Sequence, residues 1–240
     1  MDRVLQSPRI GRRLKIAVID TGVNATHPHI CAPIRGVLFD PEETDHSTED
    51  LLGHGTAVTA AIQEKAPQAE YFILRLFGNS LRTTADRLIR ALQWTIDNGM
   101  DVVNLSLGSA NLHHRSALES LVNRAVEARV LVVAARYAGP NPALPGILGG
   151  VVSVNVDWTL PRDQYRMSDD DGALVFYASG LPRPLPGVPV NRNLSGISFA
   201  VANMTGFVAR ACEDVEERSL DSIRRALTVR AVYDRAVIEG

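Results

Sequence analysis

The run Leu14-Lys15-Ile16-Ala17-Val18-Ile19-Asp20-Thr21-Gly22 decides the fold. Its short apolar stretch reads as a buried strand, ending on an acid, a threonine and a glycine. Four more runs read the same way: Tyr71 to Leu76, Asp101 to Leu107, Val130 to Ala134 and Val151 to Val156. Between them lie segments with apolar residues at helical spacing. Thr84 to Asn98 carries Leu88, Ile89, Leu92 and Ile96, and Ser116 to Ala128 carries Leu118, Leu121, Val122 and Val126. Two more helices are expected, one starting near Ser198 and one from Leu220 to about Val229. Strand and helix in alternation predict an α/β fold: a single domain with a mostly parallel β-sheet and helices on both faces.

The 240 residues suit one such domain and are few for two. Hydrophobic residues make up 45% and charged residues 22%, an ordinary globular balance, and aromatics at 5% leave an aliphatic core. The net charge of −2 favours neither a nucleic-acid nor a membrane surface. Turn-forming clusters occur at Pro41 to Asp50, Gly139 to Gly150 and Leu181 to Gly187, and no repeat or linker marks a boundary. Met1 to Arg13 has no apolar stretch of the kind a signal peptide needs, so a cytoplasmic protein is expected. Cys31 and Cys212 are expected as separate thiols.

Polar residues stand out where strands end or helices begin. Asp20 closes the first strand, on the side where parallel sheets build their sites. His54 lies in Asp50-Leu51-Leu52-Gly53-His54-Gly55-Thr56, with glycines on both sides and a helix expected from Ala57. Ser198 lies in Leu194-Ser195-Gly196-Ile197-Ser198-Phe199-Ala200, ahead of an apolar helix whose first N–H groups can face an oxyanion. Taken alone, Asp20 reads equally as a turn cap, His54 as a structural or surface histidine, and Ser198 as an N-cap.

Together these words resemble the subtilisin family. The matching stretches are Ile19-Asp20-Thr21-Gly22 with His27-Pro28, Gly53-His54-Gly55-Thr56, Gly196-x-Ser198-x-Ala200, and Asp101-Val102-Val103-Asn104-Leu105-Ser106-Leu107-Gly108. They run from about Leu14 to Cys212 in the family's order of Asp, His and Ser. The resemblance implies a catalytic triad of Asp20, His54 and Ser198. It also implies a substrate-binding strand at Ser106, Leu107 and Gly108, which would add an extended peptide as a strand. A peptidase domain is expected over residues 14–235, behind a short N-terminal extension over residues 1–13.

The chain departs from the family in four places. The oxyanion asparagine is missing from its ungapped position, where Tyr137 stands. Asn141 replaces it if the loop carries a short insertion, and a surface turn is the other reading of Asn141. Ile197, Phe199, Val201, Ala202 and Asn203 replace the usual residues around the serine. The segment from Ala60 to Pro67 is too short for the family's tight calcium loop, so that site is expected to be absent, and with only Met1 to Arg13 ahead of the first strand the family's long pro-region is not expected either. His27, His29, His113 and His114 lack acidic or cysteine partners at ligand spacing, so no metal and no cofactor is expected. The acidic residues Asp40, Glu42, Glu43, Asp45, Glu49 and Asp50 read as a solvated loop, with attraction of basic substrates as the alternative.

The expected function is that of an intracellular serine endopeptidase acting on a peptide or protein substrate through an acyl-enzyme, with maturation of a peptide precursor as its task. The alternative is a weakened pseudoprotease that binds peptides or proteins. A nucleotide-binding domain is disfavoured, because neither Gly-x-x-x-x-Gly-Lys nor Gly-x-Gly-x-x-Gly is present.

Overall fold

The computed structural model describes residues 13–39, 47–78, 83–170 and 172–232. Strands β1 (Lys15–Asp20) and β2 (Ile34–Val37) come first, then helix α1 (His54–Gln63), β3 (Glu70–Arg75), α2 (Ala85–Asp97) and β4 (Val102–Leu105). Helix α3 (Arg115–Glu127) leads to β5 (Leu131–Ala135), the two-residue strands β6 (Tyr137–Ala138) and β7 (Asn141–Pro142), and β8 (Val152–Val156). Strands β9 (Tyr165–Asp170) and β10 (Ala173–Ala178) precede helices α4 (Ile197–Asp214) and α5 (Leu220–Arg230).

One sheet runs in the order β2-β3-β1-β4-β5-β8-β10-β9. All its pairs are parallel except β10 with β9. The α/β architecture is the expected one. The helices begin and end where local chemistry provides for them: the Thr84 hydroxyl accepts the Arg87 amide at the head of α2, and Ser219 accepts from Ser222 at the head of α5.

Because side chains alternate along a strand, each central strand feeds two cores. Ile16 and Val18 pack with α1, α4 and α5, whereas Ala17 and Ile19 pack with α2 and α3. Asp20 continues the even-numbered series, so β1 delivers it to the side of α1 and α4. Helix α4 is apolar almost all round and buried from Phe199 to Ala209, as a helix enclosed by its neighbours must be.

Strands β2, β9 and β10 were not legible in advance. Strands β2 and β9 are the sheet edges, and β9 reads Tyr-Arg-Met-Ser-Asp-Asp, without the apolar run that marks the central strands.

Candidate active site

Asp20 is 1% exposed at the end of β1, and its Oδ1 accepts the Thr21 amide at 2.8 Å. The same oxygen lies 2.6 Å from Nδ1 of His54, the first residue of α1. This contact depends on two loops pressing together. Gly22 has φ of 109°, and a Cβ on Gly55 would stand 2.2 Å from the Gly22 carbonyl oxygen. Thr21 Oγ1 joins the loops further, accepting the Gly55 amide at 2.8 Å and donating to Asp50 Oδ1 at 2.8 Å.

Asp50 is a correction to the reading of a solvated acidic loop. It is half-buried and accepts from five donors: the Thr21 hydroxyl, the Leu52 and Gly53 amides, and the amide and hydroxyl of Thr56. Burial opposes its ionisation, but the Thr56, Thr21 and Leu52 hydrogen bonds outweigh it and hold its pKa below the usual carboxylate value. Asp40, Glu42, Glu43 and Asp45 of that loop lie outside the described residues.

The His54 side chain is 22% exposed, and its ring lies 5.6 Å from that of Phe199, the neighbour of Ser198. Burial disfavours the imidazolium, yet the Asp20 hydrogen bond, the Asp20 charge and the Asp50 charge together raise the His54 pKa above 6.5.

Ser198 is the second residue of α4. Its hydroxyl donates to the Ser106 carbonyl at 3.3 Å, while the Ser106 hydroxyl donates to the Ser198 carbonyl at 3.4 Å. Behind this pair, Asn104 Nδ2 donates to Ser106 Oγ at 2.8 Å, and the Thr205 hydroxyl lies 3.0 Å from Asn104 Oδ1. Asn104 and Thr205 are both fully buried. Their role was not read from the sequence, although one signal was there: Asn104 is the only polar residue in Val102-Val103-Asn104-Leu105, and a buried amide must be satisfied.

Ser106, Leu107 and Gly108 follow β4 without entering a regular strand. Ser109 then pairs with Leu144 through two 2.9 Å backbone hydrogen bonds. A Cβ on Gly108 would come 2.7 Å from that of Ala143. Asn141 lies in β7, paired with Ala138 across the turn at Gly139-Pro140, and is exposed. Tyr137 is half-buried beneath the Arg136 guanidinium, 5.8 Å from its ring centre.

Cys31 is exposed and Cys212 buried, both as free thiols, and burial pushes the Cys212 thiol up to about 12. Among the described residues no group of three or more His, Cys, Asp or Glu could hold a metal ion.

A mostly parallel sheet hands a buried acid to a histidine at one helix head, and a serine stands in the first turn of another helix; comparison with known proteins gives the class, the serine-type α/β peptidases. A model described as the subtilase family matches residues 11–141. Subtilisin BL of Lederbergia lenta is 33% identical over 207 residues, covering 81% of this chain and 71% of that protein. The chain belongs to the subtilase family of serine endopeptidases. It is also similar to an intracellular serine protease of Paenibacillus polymyxa, 26% identical over 98% of this chain and 77% of that one. Two solved structures share the fold. One is a cold-adapted subtilisin-like serine proteinase, with a TM-score of 0.70, 22% identity, and coverage of 92% of this chain and 83% of that one. The other is the prenylagaramide maturation protease PagA, with a TM-score of 0.59, 24% identity, and coverage of 82% and 73%.

Proposed function

We propose that this chain is an intracellular serine endopeptidase that matures a peptide precursor, with Asp20, His54 and Ser198 as its catalytic triad and residues 14–235 as its peptidase domain. The observation that carries the reading is the 2.6 Å contact between His54 Nδ1 and a carboxylate that is almost wholly buried. A buried acceptor on Nδ1 fixes the proton there and leaves Nε2 as the base.

In this mechanism Ser198 turns its hydroxyl from the Ser106 carbonyl to His54 Nε2, a tightening common when substrate arrives. His54 takes the proton as Oγ attacks the scissile carbonyl, and the Asp20 charge stabilises the imidazolium. His54 then protonates the leaving amine, and water repeats the sequence on the acyl-enzyme. Ser106, Leu107 and Gly108 hold the acyl half of the peptide as an added strand. The Ser198 amide, in the first turn of α4 where N–H groups lack intrahelical acceptors, is one oxyanion donor, and the Asn141 amide is the other.

The intracellular assignment draws on the likeness to the Paenibacillus polymyxa protein and the maturation role on the likeness to the prenylagaramide protease. No helix among the described residues is long and apolar enough to cross a membrane. Labelling with a fluorophosphonate probe tests the core of the reading. Wild type is expected to label and Ser198→Ala to stay unlabelled. A wild type that folds and binds peptide but never labels is a binding module instead.

A further inference from the structure

A cavity of about 440 Å³ opens beside His54 and is not used by the mechanism above. It reaches Gly53 and Ala57 around the head of α1, and Leu194 four residues before Ser198. No residue lining it comes from Ser106 to Gly108 or from the Tyr137 to Asn141 hairpin. It therefore lies on the His54 side of Ser198, away from the segment assigned to the acyl half. His54 protonates the leaving amine, so this is the side where the departing half of the peptide rests. That placement rests on the proposed function.

The lining is rich in donors and short of acceptors. Arg183, Arg192, His27 and His29 all face the space. Asp50 is the one carboxylate in the described lining, and its two oxygens are already taken by five donors. Asn24 Oδ1 accepts from the amide and hydroxyl of Thr26, and Asn193 Oδ1 accepts the Leu194 amide. His27 Nδ1 accepts the His29 amide at 3.2 Å, which puts the His27 ring proton on Nε2.

Arg183 spends one N–H on the His29 carbonyl at 3.2 Å, and its Nε lies 3.8 Å from Glu64, leaving further donors. The Arg192 backbone amide donates to the Pro189 carbonyl at 2.9 Å, and its exposed guanidinium has no hydrogen bond or ion pair among the described residues. Leu185, Ala57, Ala60 and Pro182 supply apolar wall between these groups. Burial first, then Arg183 and His27, hold the His29 imidazole below its ordinary pKa, as a cationic surrounding should. A pocket with surplus donors, net positive charge and apolar walls suits a group with acceptors only.

We infer that this cavity binds a carboxylate on the leaving side of the substrate peptide, through Arg183 and Arg192. The carboxylate has two sources, an Asp or Glu side chain or the free C-terminus of a short leaving peptide, and bidentate guanidinium pairing serves either.

The test uses the full chain and three small probes at fixed pH, followed by the ring signals of His27 and His29 in NMR. N-acetylglutamic acid α-amide carries only a side-chain carboxylate, N-acetylglutamine only a terminal one, and N-acetylglutamine amide neither. One or both acids are expected to shift the two signals saturably, the neutral amide to shift neither, and affinity to fall about tenfold in Arg183→Gln or Arg192→Gln. Whichever acid acts identifies the source.

Equal response to the neutral amide, silence toward both acids, or full affinity in both variants overturns the inference. Arg192→Gln changes an exposed residue in a short turn, so that variant folds whether or not Arg183→Gln does. Fluorophosphonate labelling runs alongside. Labelling without probe binding sinks the pocket and spares the peptidase, and binding without labelling does the reverse.

Discussion

The Lys65 ammonium donates to Asn203 Oδ1 at 2.7 Å, tying the turn after α1 to the middle of α4. The Lys65 side chain is 3% exposed and also lies 3.4 Å from Glu64 Oε2. Asn203 uses its own amide on the Ser179 and Leu181 carbonyls, so it anchors three segments at once. Gly206, one turn further along α4, leaves the room that the lysine stem fills.

This pair predicts a pH-dependent stability. Burial lowers the Lys65 pKa from 10.5 to about 8, against the opposing pull of Glu64. Between those values the unfolded chain holds a proton that the folded chain has lost. Stability from this group therefore rises with pH from about 8 to about 10.5, by on the order of 3 kcal/mol. Urea unfolding at several pH values should show the rise in wild type and its loss in Lys65→Met. An identical pH dependence in the two proteins would count against a buried, displaced lysine.

The triad predicts loss of turnover without loss of fold. Ser198→Ala and His54→Ala should each lower kcat by about 10⁶, the loss known for subtilisin itself. Because His54 must be neutral to act as base and its pKa is raised, kcat/KM should climb with pH through an apparent pKa above 6.5. A profile flat from acid to alkaline pH points to another base.

Asp50 should set where that climb falls. Its charge raises the His54 pKa, so Asp50→Asn should move the ascending limb toward lower pH. An amide cannot accept from all five donors, and the variant should also lose about 1–3 kcal/mol of stability. An unmoved limb in a folded variant would mean that Asp50 serves the loop alone.

The oxyanion assignment predicts that Asn141→Ala lowers kcat by about 10²–10³ with KM little changed, a loss of the size known for the equivalent donor in subtilisin. Tyr137→Phe is the control and should leave kcat within a few-fold. If Asn141→Ala is silent and Tyr137→Phe is slow, the donor is the phenol.

Thermal unfolding should be indifferent to chelators. Helix α1 ends at Gln63 and β3 starts at Glu70, leaving a six-residue turn where a calcium loop would need more chain. A ligand bound only to the folded state raises its stability, so a midpoint that falls by many degrees in chelator would reveal a calcium site.

Five of the six interior strands were legible from unbroken apolar runs covered on both faces, and α2 and α3 from three-to-four spacing with one apolar face, whereas interior β10 was missed. The edge strands were not legible either, because an edge has solvent on one side and β9 can be polar without penalty. The words around Asp20, His54 and Ser198 were legible as words. That the even-numbered side chains of β1 face α1 and α4 is the step that brings Asp20 to His54, and parity of that kind needs a sheet with known neighbours.

What the sequence determined by itself was local: residue type, period, and short motifs whose chemistry does not depend on distance. The tertiary structure decided what lies across long gaps in the chain. Asp50 looked like a solvated acid until Thr21 and Thr56 closed around it, and Asn104 looked like a strand residue until Thr205, 101 positions away, met its oxygen. Lys65 and Asn203 are 138 positions apart, and neither residue type announces a buried partner. The physical reason is that desolvation and hydrogen-bond satisfaction are set by which surfaces come together. A single chain read in order carries no record of its neighbours in space.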